Sequence, residues 1–190
     1  AMQQNYAYAM RIVKRYGTPD FFITMTANPS WREVRDSLRE GETVANRPDI
    51  VARVFRIKFR LLLDKLLKEH VLGKVVGYTW VIEFQKRGLP HGHILLIVQH
   101  CDKPQSPEDV DLRICAELPD PRDPEQSELL AILLSSQIHG PCGVRNPHAP
   151  CMEDGCCTKK FPKDFQETTE LHANGYPKYR RREASPRVVK

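Results

Sequence analysis

The sequence predicts an α+β fold on three observations: an aromatic and β-branched run closed by a proline, a long segment with apolar residues every three or four positions, and two adjacent β-type runs joined by a Gly/Pro turn. A Cys/His-rich stretch with little apolar periodicity follows. We therefore expect a core over residues 1–138 and an extension over 139–190.

Gln3 to Tyr16 carries Tyr6, Ala9, Met10 and Val13 at helical spacing, and Gly17-Thr18-Pro19-Asp20 supplies the stop. Phe21 to Thr26 is a strand that ends at Asn28-Pro29. Asp49 is placed to cap a helix whose apolar series runs through Ile50, Val54, Ile57, Leu61, Leu62 and Leu66. Lys74 to Gln85 and His91 to Gln99, on either side of Gly88-Leu89-Pro90, form a β-hairpin. Cys101 to Pro124 holds five prolines and reads as an irregular surface excursion. Glu125 to Ile138 is helical, with Leu129, Ile132 and Leu133 on one side.

Composition narrows the class. At 190 residues and 41% hydrophobic content the chain can bury one good core. It contains no eighteen-residue apolar run and no charged-then-apolar leader, so neither a membrane span nor a secretory signal is expected, and an intracellular, nuclear location is. The net charge of +5 is too small to establish a nucleic-acid partner by itself. Its distribution says more: Lys178, Arg180, Arg181, Arg182, Arg187 and Lys190 face Glu183 alone, and Arg53, Arg56, Lys58, Arg60, Lys65 and Lys68 form a second set. Phosphate contact competes with a solvated helix face and tail as the explanation. Six cysteines in an intracellular chain point to a metal site or buried thiols rather than disulfides.

His91-Gly92-His93 leads into Ile94-Leu95-Leu96-Ile97, so the imidazoles stand at i and i+2 of a strand and project from one face, where they can chelate a divalent ion. Glu83, on the preceding strand of the hairpin, can bring a carboxylate beside them. If the register differs by two, Gln85 or His100 replaces it, and Gln85 is the preferred substitute. Two imidazoles and one carboxylate leave coordination positions open for a Lewis-acid role at a phosphate oxygen. A second set lies downstream. His139, Cys142, Cys151 and Cys156 are the preferred ligands of a structural Zn²⁺, with Cys157 and His148 as competitors; the alternative is a loop of unlinked thiols. Cys101 and Cys115 receive no role.

FFITMTANP resembles the first motif of rolling-circle replication initiators, and EFQKRGLPHGHILL resembles their His-hydrophobic-His motif, with Gly92 in the middle place as a departure that keeps both ligands. QNY, RPDIVARVF, GKVVGY, ELPDP, HGPCG, KKFPK and GYPKYRRR extend the likeness, so that nearly the whole chain resembles the N-terminal replication-initiator (HUH, or Rep, endonuclease) region of Helitron transposases. The resemblance implies a ferredoxin-like antiparallel sheet with flanking helices, Mg²⁺ or Mn²⁺ on its central strands, single-stranded DNA as substrate and a helicase domain in the same polypeptide. It also implies the reaction, rolling-circle nicking and strand transfer through a 5′-phosphotyrosine link.

The family's nucleophilic tyrosines lie on a helix after the His motif. Tyr176 and Tyr179 are the candidates within the chain, but Gly175 and Pro177 break any helix there, and the tyrosine helix is expected beyond Lys190. Candidate DNA contacts are Thr24, Thr26, Trp31, Lys86, Arg87, Arg180, Arg181 and Arg182. Trp31 is the foremost aromatic, ahead of Trp80, Tyr78 and Phe161, because it follows the first motif where the chain leaves the core. The reading from a different class is a non-catalytic, zinc-stabilised single-stranded DNA-binding module working with a helicase; a third, a small-molecule metallohydrolase, is disfavoured by the basic tail.

Overall fold

A computed structural model describes residues 2–84, 88–172 and 175–183. They form two compact units, residues 1–103 and 104–190. The architecture is mixed α/β with small antiparallel sheets.

The first unit opens with helix α1 (Met2–Tyr16), then strand β1 (Phe21–Thr26), a short helix α2 (Arg32–Arg35) and the long helix α3 (Pro48–Leu67). The hairpin follows as β2 (Val75–Phe84) and β3 (Pro90–Val98). The sheet order is β1-β3-β2, antiparallel throughout, so the strand carrying both histidines is central. Pro90 can open this strand because the first residue of a strand tolerates a missing N–H, and its carbonyl accepts a bond of 2.9 Å from the Ala27 N–H. Asp20 ties the far end: its carboxylate accepts from the Val98 N–H at 2.9 Å and from Lys103 Nζ at 2.8 Å.

Two sequence readings of α3 change. The helix begins at Pro48, whose fixed φ suits the first turn, and Arg47 occupies the cap position. Asp49 lies inside that first turn, gripped by Arg47 through two bonds of 2.9 Å that hold its carboxyl down at about 2. The buried stripe is also rotated. Ile50, Val51, Phe55, Phe59 and Leu66 face inward, while Ile57 and Leu61 are 62% and 60% exposed. Both stripes satisfy the three-and-four spacing; the phenylalanines decide, because Phe59 fits against a residue without a side chain.

That residue is Gly92. A Cβ built on it would stand 2.4 Å from Phe59 Cε2, well inside contact distance. Phe59 in turn stacks on Phe55 at 5.5 Å and meets the Trp80 ring edge-on at 5.6 Å, so it has little room to retreat. On the opposite sheet face Gly77 makes room for α1, with its Cβ position 3.0 Å from Ile12 Cγ2 and 3.2 Å from Tyr16 Cδ2.

The second unit departs further from expectation. It begins at Pro104, and residues of the prolyl excursion hold its C-terminal segment. That excursion contains helix α4 (Pro107–Arg113), started by a capping box between Ser106 and Asp109 that the proline density obscures. Asp111 on α4 accepts from Thr169 Oγ1 and lies 3.0 Å from Arg180 Nη1. Glu117, buried, takes Arg182 in a two-pronged pair at 2.9 and 2.7 Å. Residues 166–170 and 178–181 run antiparallel through the bridges Gln166 to Arg181 and Glu170 to Lys178. Helix α5 (Ser127–Ser136) has no buried residue, so the expected apolar side at Leu129 and Ile132 is exposed. Among the described residues the buried apolar side chains of this unit are Val110, Pro119 and Ala149.

Two stability predictions follow from these contacts. Gly92→Ala should lower unfolding stability by about 1–3 kcal/mol through overpacking, and adding Phe59→Leu should recover part of that loss in denaturant titration. The Arg182 side-chain bonds, against the opposing effect of burial, hold Glu117 at about 2, below its ordinary 4.5. A depressed carboxylate stabilises the fold above its unfolded pKa and loses that contribution as pH falls through the folded one, here between about 4.5 and 2. The size is about 3 kcal/mol. Glu117→Gln should remove it and flatten this part of the pH–stability curve.

Candidate metal centres

The first candidate site is built by strand register. Glu83 and Thr26 both stand opposite His91, while Val81 and Thr24 stand opposite His93. Directly paired residues share a sheet face, so Glu83, His91, His93, Thr24 and Thr26 project from the face opposite Phe59. The ligand atoms of Glu83, His91 and His93 lie within 4.8 Å of one another. His93 Nε2 is 3.0 Å from Glu83 Oε1, and the two imidazole rings meet edge-on at 4.5 Å. The hydrogen bond from His93, joined by the charge effect of both histidines and opposed by partial burial, holds the Glu83 carboxyl below its ordinary value. His91 Nδ1 is 2.5 Å from Thr26 Oγ1, a contact that orients the ring. Phe22, on the same face, stacks on His93 at 5.4 Å and 8°, yet remains 64% exposed. The two-residue alternation Phe22, Thr24, Thr26 contained this signal, which sequence reasoning missed for Phe22.

The second set gathers in the Cys/His-rich segment. His139, Cys142, Cys151 and Cys157 place one ligand atom each within 4.8 Å of one another, an arrangement that can hold a metal such as zinc. Cys157 replaces the expected Cys156, and His148 is exposed and outside the group. Strand alternation is the reason. Met152–Glu153 (β4) and Cys156–Cys157 (β5) form a miniature hairpin across Asp154-Gly155, both at positive φ, so the adjacent cysteines point to opposite sides. Burial and its thiol neighbours Cys157 and Cys151 push the Cys142 thiol up to about 11. Burial also opposes ionisation of Cys157, but the Phe161 and Lys159 backbone, His139 and Cys151 outweigh it and bring that thiol down to about 6.

Residues 1–96 match the family described as "Helitron helicase-like domain at N-terminus". The chain belongs to the Helitron helicase-like N-terminal domain family. Membership gives it a Helitron-related role, and the family's name hints at association with a helicase. The matched span of this Helitron domain contains β1, β2 and the residues Glu83, His91 and His93, and it ends before the Cys/His group. A comparison with curated proteins gave no match.

Other candidate residues of the chain fall in varied places. Thr24 and Thr26 are exposed on the face of the first site. Trp31 occupies the N-cap position of α2 and lies beneath Lys58, whose Nζ is 5.2 Å from the ring centre. Gln85, Lys86 and Arg87 lie outside the described residues. Arg180 and Arg182 form ion pairs with Asp111 and Glu117, and the Arg181 side chain enters neither of those pairs. The second basic set divides likewise: Lys58 pairs with Glu33, Lys65 with Glu69 and Lys68 with Asp64, whereas Arg53, Arg56 and Arg60 are exposed on α3. Tyr176 and Tyr179 follow Gly175 on irregular chain, not on a helix. Among the described residues no helix is long and apolar enough to cross a membrane.

Proposed function

We propose that the Glu83, His91 and His93 site is the divalent-metal centre of an HUH endonuclease that nicks and transfers single-stranded DNA, and that the β1-β3-β2 sheet is part of a ferredoxin-like arrangement. The convergence of these three donors on one exposed sheet face carries the reading. The donor set fits Mn²⁺ or Mg²⁺: it offers a carboxylate and two imidazoles, and three donors leave further coordination positions open. Such an ion supplies neutralisation of charge at the scissile phosphate. Thr26 holds the His91 ring, Glu83 holds His93, and Phe22 presents an exposed ring on which a base can stack.

In this reading the nucleophile is a tyrosine on a helix following residue 190. Its oxygen bonds to phosphorus as the bond from phosphorus to the 3′ oxygen breaks. The tyrosine gives up its phenolic proton, the departing oxygen gains one to become a 3′-OH, and the 5′ end stays on the tyrosine. The irregular chain around Tyr176 and Tyr179 favours, as a second reading, a binding module that positions DNA without cutting it.

Incubating residues 1–190 with labelled single-stranded DNA and Mn²⁺ should give metal-dependent binding without a covalent adduct; an adduct abolished by Tyr176→Phe or Tyr179→Phe would place the nucleophile here instead. The same chain extended past residue 190 should form the adduct, and its failure to do so would favour the binding module. His91→Ala with His93→Ala should eliminate Mn²⁺ binding in calorimetry, and retained binding would sink the proposal. Thr26→Val should weaken Mn²⁺ affinity by about 10–100-fold by freeing the His91 ring.

A further inference from the structure

We infer that His139, Cys142, Cys151 and Cys157 form a closed structural zinc site, and that zinc is what folds the segment from His139 to Lys163. Four protein donors complete a tetrahedron with no position left for substrate, which separates this centre in kind from the open three-donor site on the sheet. The geometry is already close to that of a loaded site. Cys157 Sγ lies 3.3 Å from His139 Nε2, against about 3.5 Å along a tetrahedral Zn edge between sulfur and nitrogen, and all four donors fall within 4.8 Å.

The local chain is shaped to deliver these donors. Gly143, at φ 68°, turns the chain directly after Cys142 and donates its N–H to Met152 Sδ at 3.2 Å. The Cys151 carbonyl accepts from both the N–H and the hydroxyl of Thr158, at 2.8 and 3.0 Å, which closes the miniature hairpin beneath the site. The Cys157 carbonyl accepts from the Lys160 N–H at 2.8 Å, and Phe161 then stacks on the His139 ring at 4.2 Å and 12°. Every one of these contacts is anchored on a ligand or its neighbour. By contrast, Ala149 is the buried apolar residue of the segment among those described. A segment with so little apolar burial needs another source of order, and a metal that binds only the folded arrangement provides one.

Elemental analysis of the purified chain should find stoichiometric zinc that survives His91→Ala with His93→Ala. Cys157→Ser should lose it and Cys156→Ser should keep it. Replacing zinc by Co²⁺ should give the absorption of a tetrahedral thiolate complex. In a heteronuclear NMR spectrum, a zinc chelator should collapse the dispersed amide signals of residues 139–163 while those of β1 to β3 persist, and added zinc should restore them. Absence of stoichiometric zinc, iron in its place, or loss with Cys156→Ser but not Cys157→Ser would overturn the site. Amide signals of 139–163 that stay dispersed after zinc removal would overturn its role in folding.

Discussion

The ring of Phe59 occupies the space that a side chain at position 92 would need, and the first unit is arranged around that contact. Strand β3 is central and paired along both edges: on one face Ile94 and Leu96 point toward α3 and are fully buried, while His91 and His93 point to the other face. A residue between two outward histidines must point inward. At Gly92 the inward position is filled by an aromatic ring from α3 instead of by the strand itself. The middle place of the His motif is therefore still hydrophobic in space, although the residue there is glycine. This contact also selects which side of α3 is buried.

Register gives the site its third donor. Glu83 stands opposite His91, and its carboxylate reaches diagonally to His93. A one-residue slip of the hairpin would send Glu83 to the buried face, so the burial of Ile94 and Leu96 protects the alignment of the carboxylate. The sheet thus presents its donors from rigid backbone. In the second unit the donors sit on turns and a two-residue hairpin, with a thin apolar core and an ion-pair network around the buried Glu117. That network also changes the meaning of the basic C-terminal stretch. Arg180 and Arg182 neutralise Asp111 and Glu117 within the unit, so the charge count overstates what remains for phosphate.

Much of this was legible in the chain. The strand Phe21–Thr26, the hairpin and the long helix follow from β-branched runs, a Gly/Pro turn and apolar periodicity, all local properties. Helix α4 was hidden because proline density outweighs a capping box in a window reading, although Pro107 sits at the one helical turn that tolerates it. The partners of the arginines were hidden because Asp111 and Glu117 are more than sixty residues away from them in the chain.

The sequence by itself determined the types of element, the same-face placement of His91 and His93, and the presence of two ligand-rich segments, because side-chain periodicity and turn chemistry act over a few residues. Tertiary structure decided the choices between near-equivalents: Cys157 rather than Cys156 beside the other three donors, Phe55 and Phe59 rather than Ile57 and Leu61 on the buried side of α3, and Asp111 and Glu117 as the ion-pair partners of Arg180 and Arg182. Each of those choices depends on which surface a distant segment brings into contact. Neighbouring residues of the same chemistry differ only in the direction they point once the chain has folded.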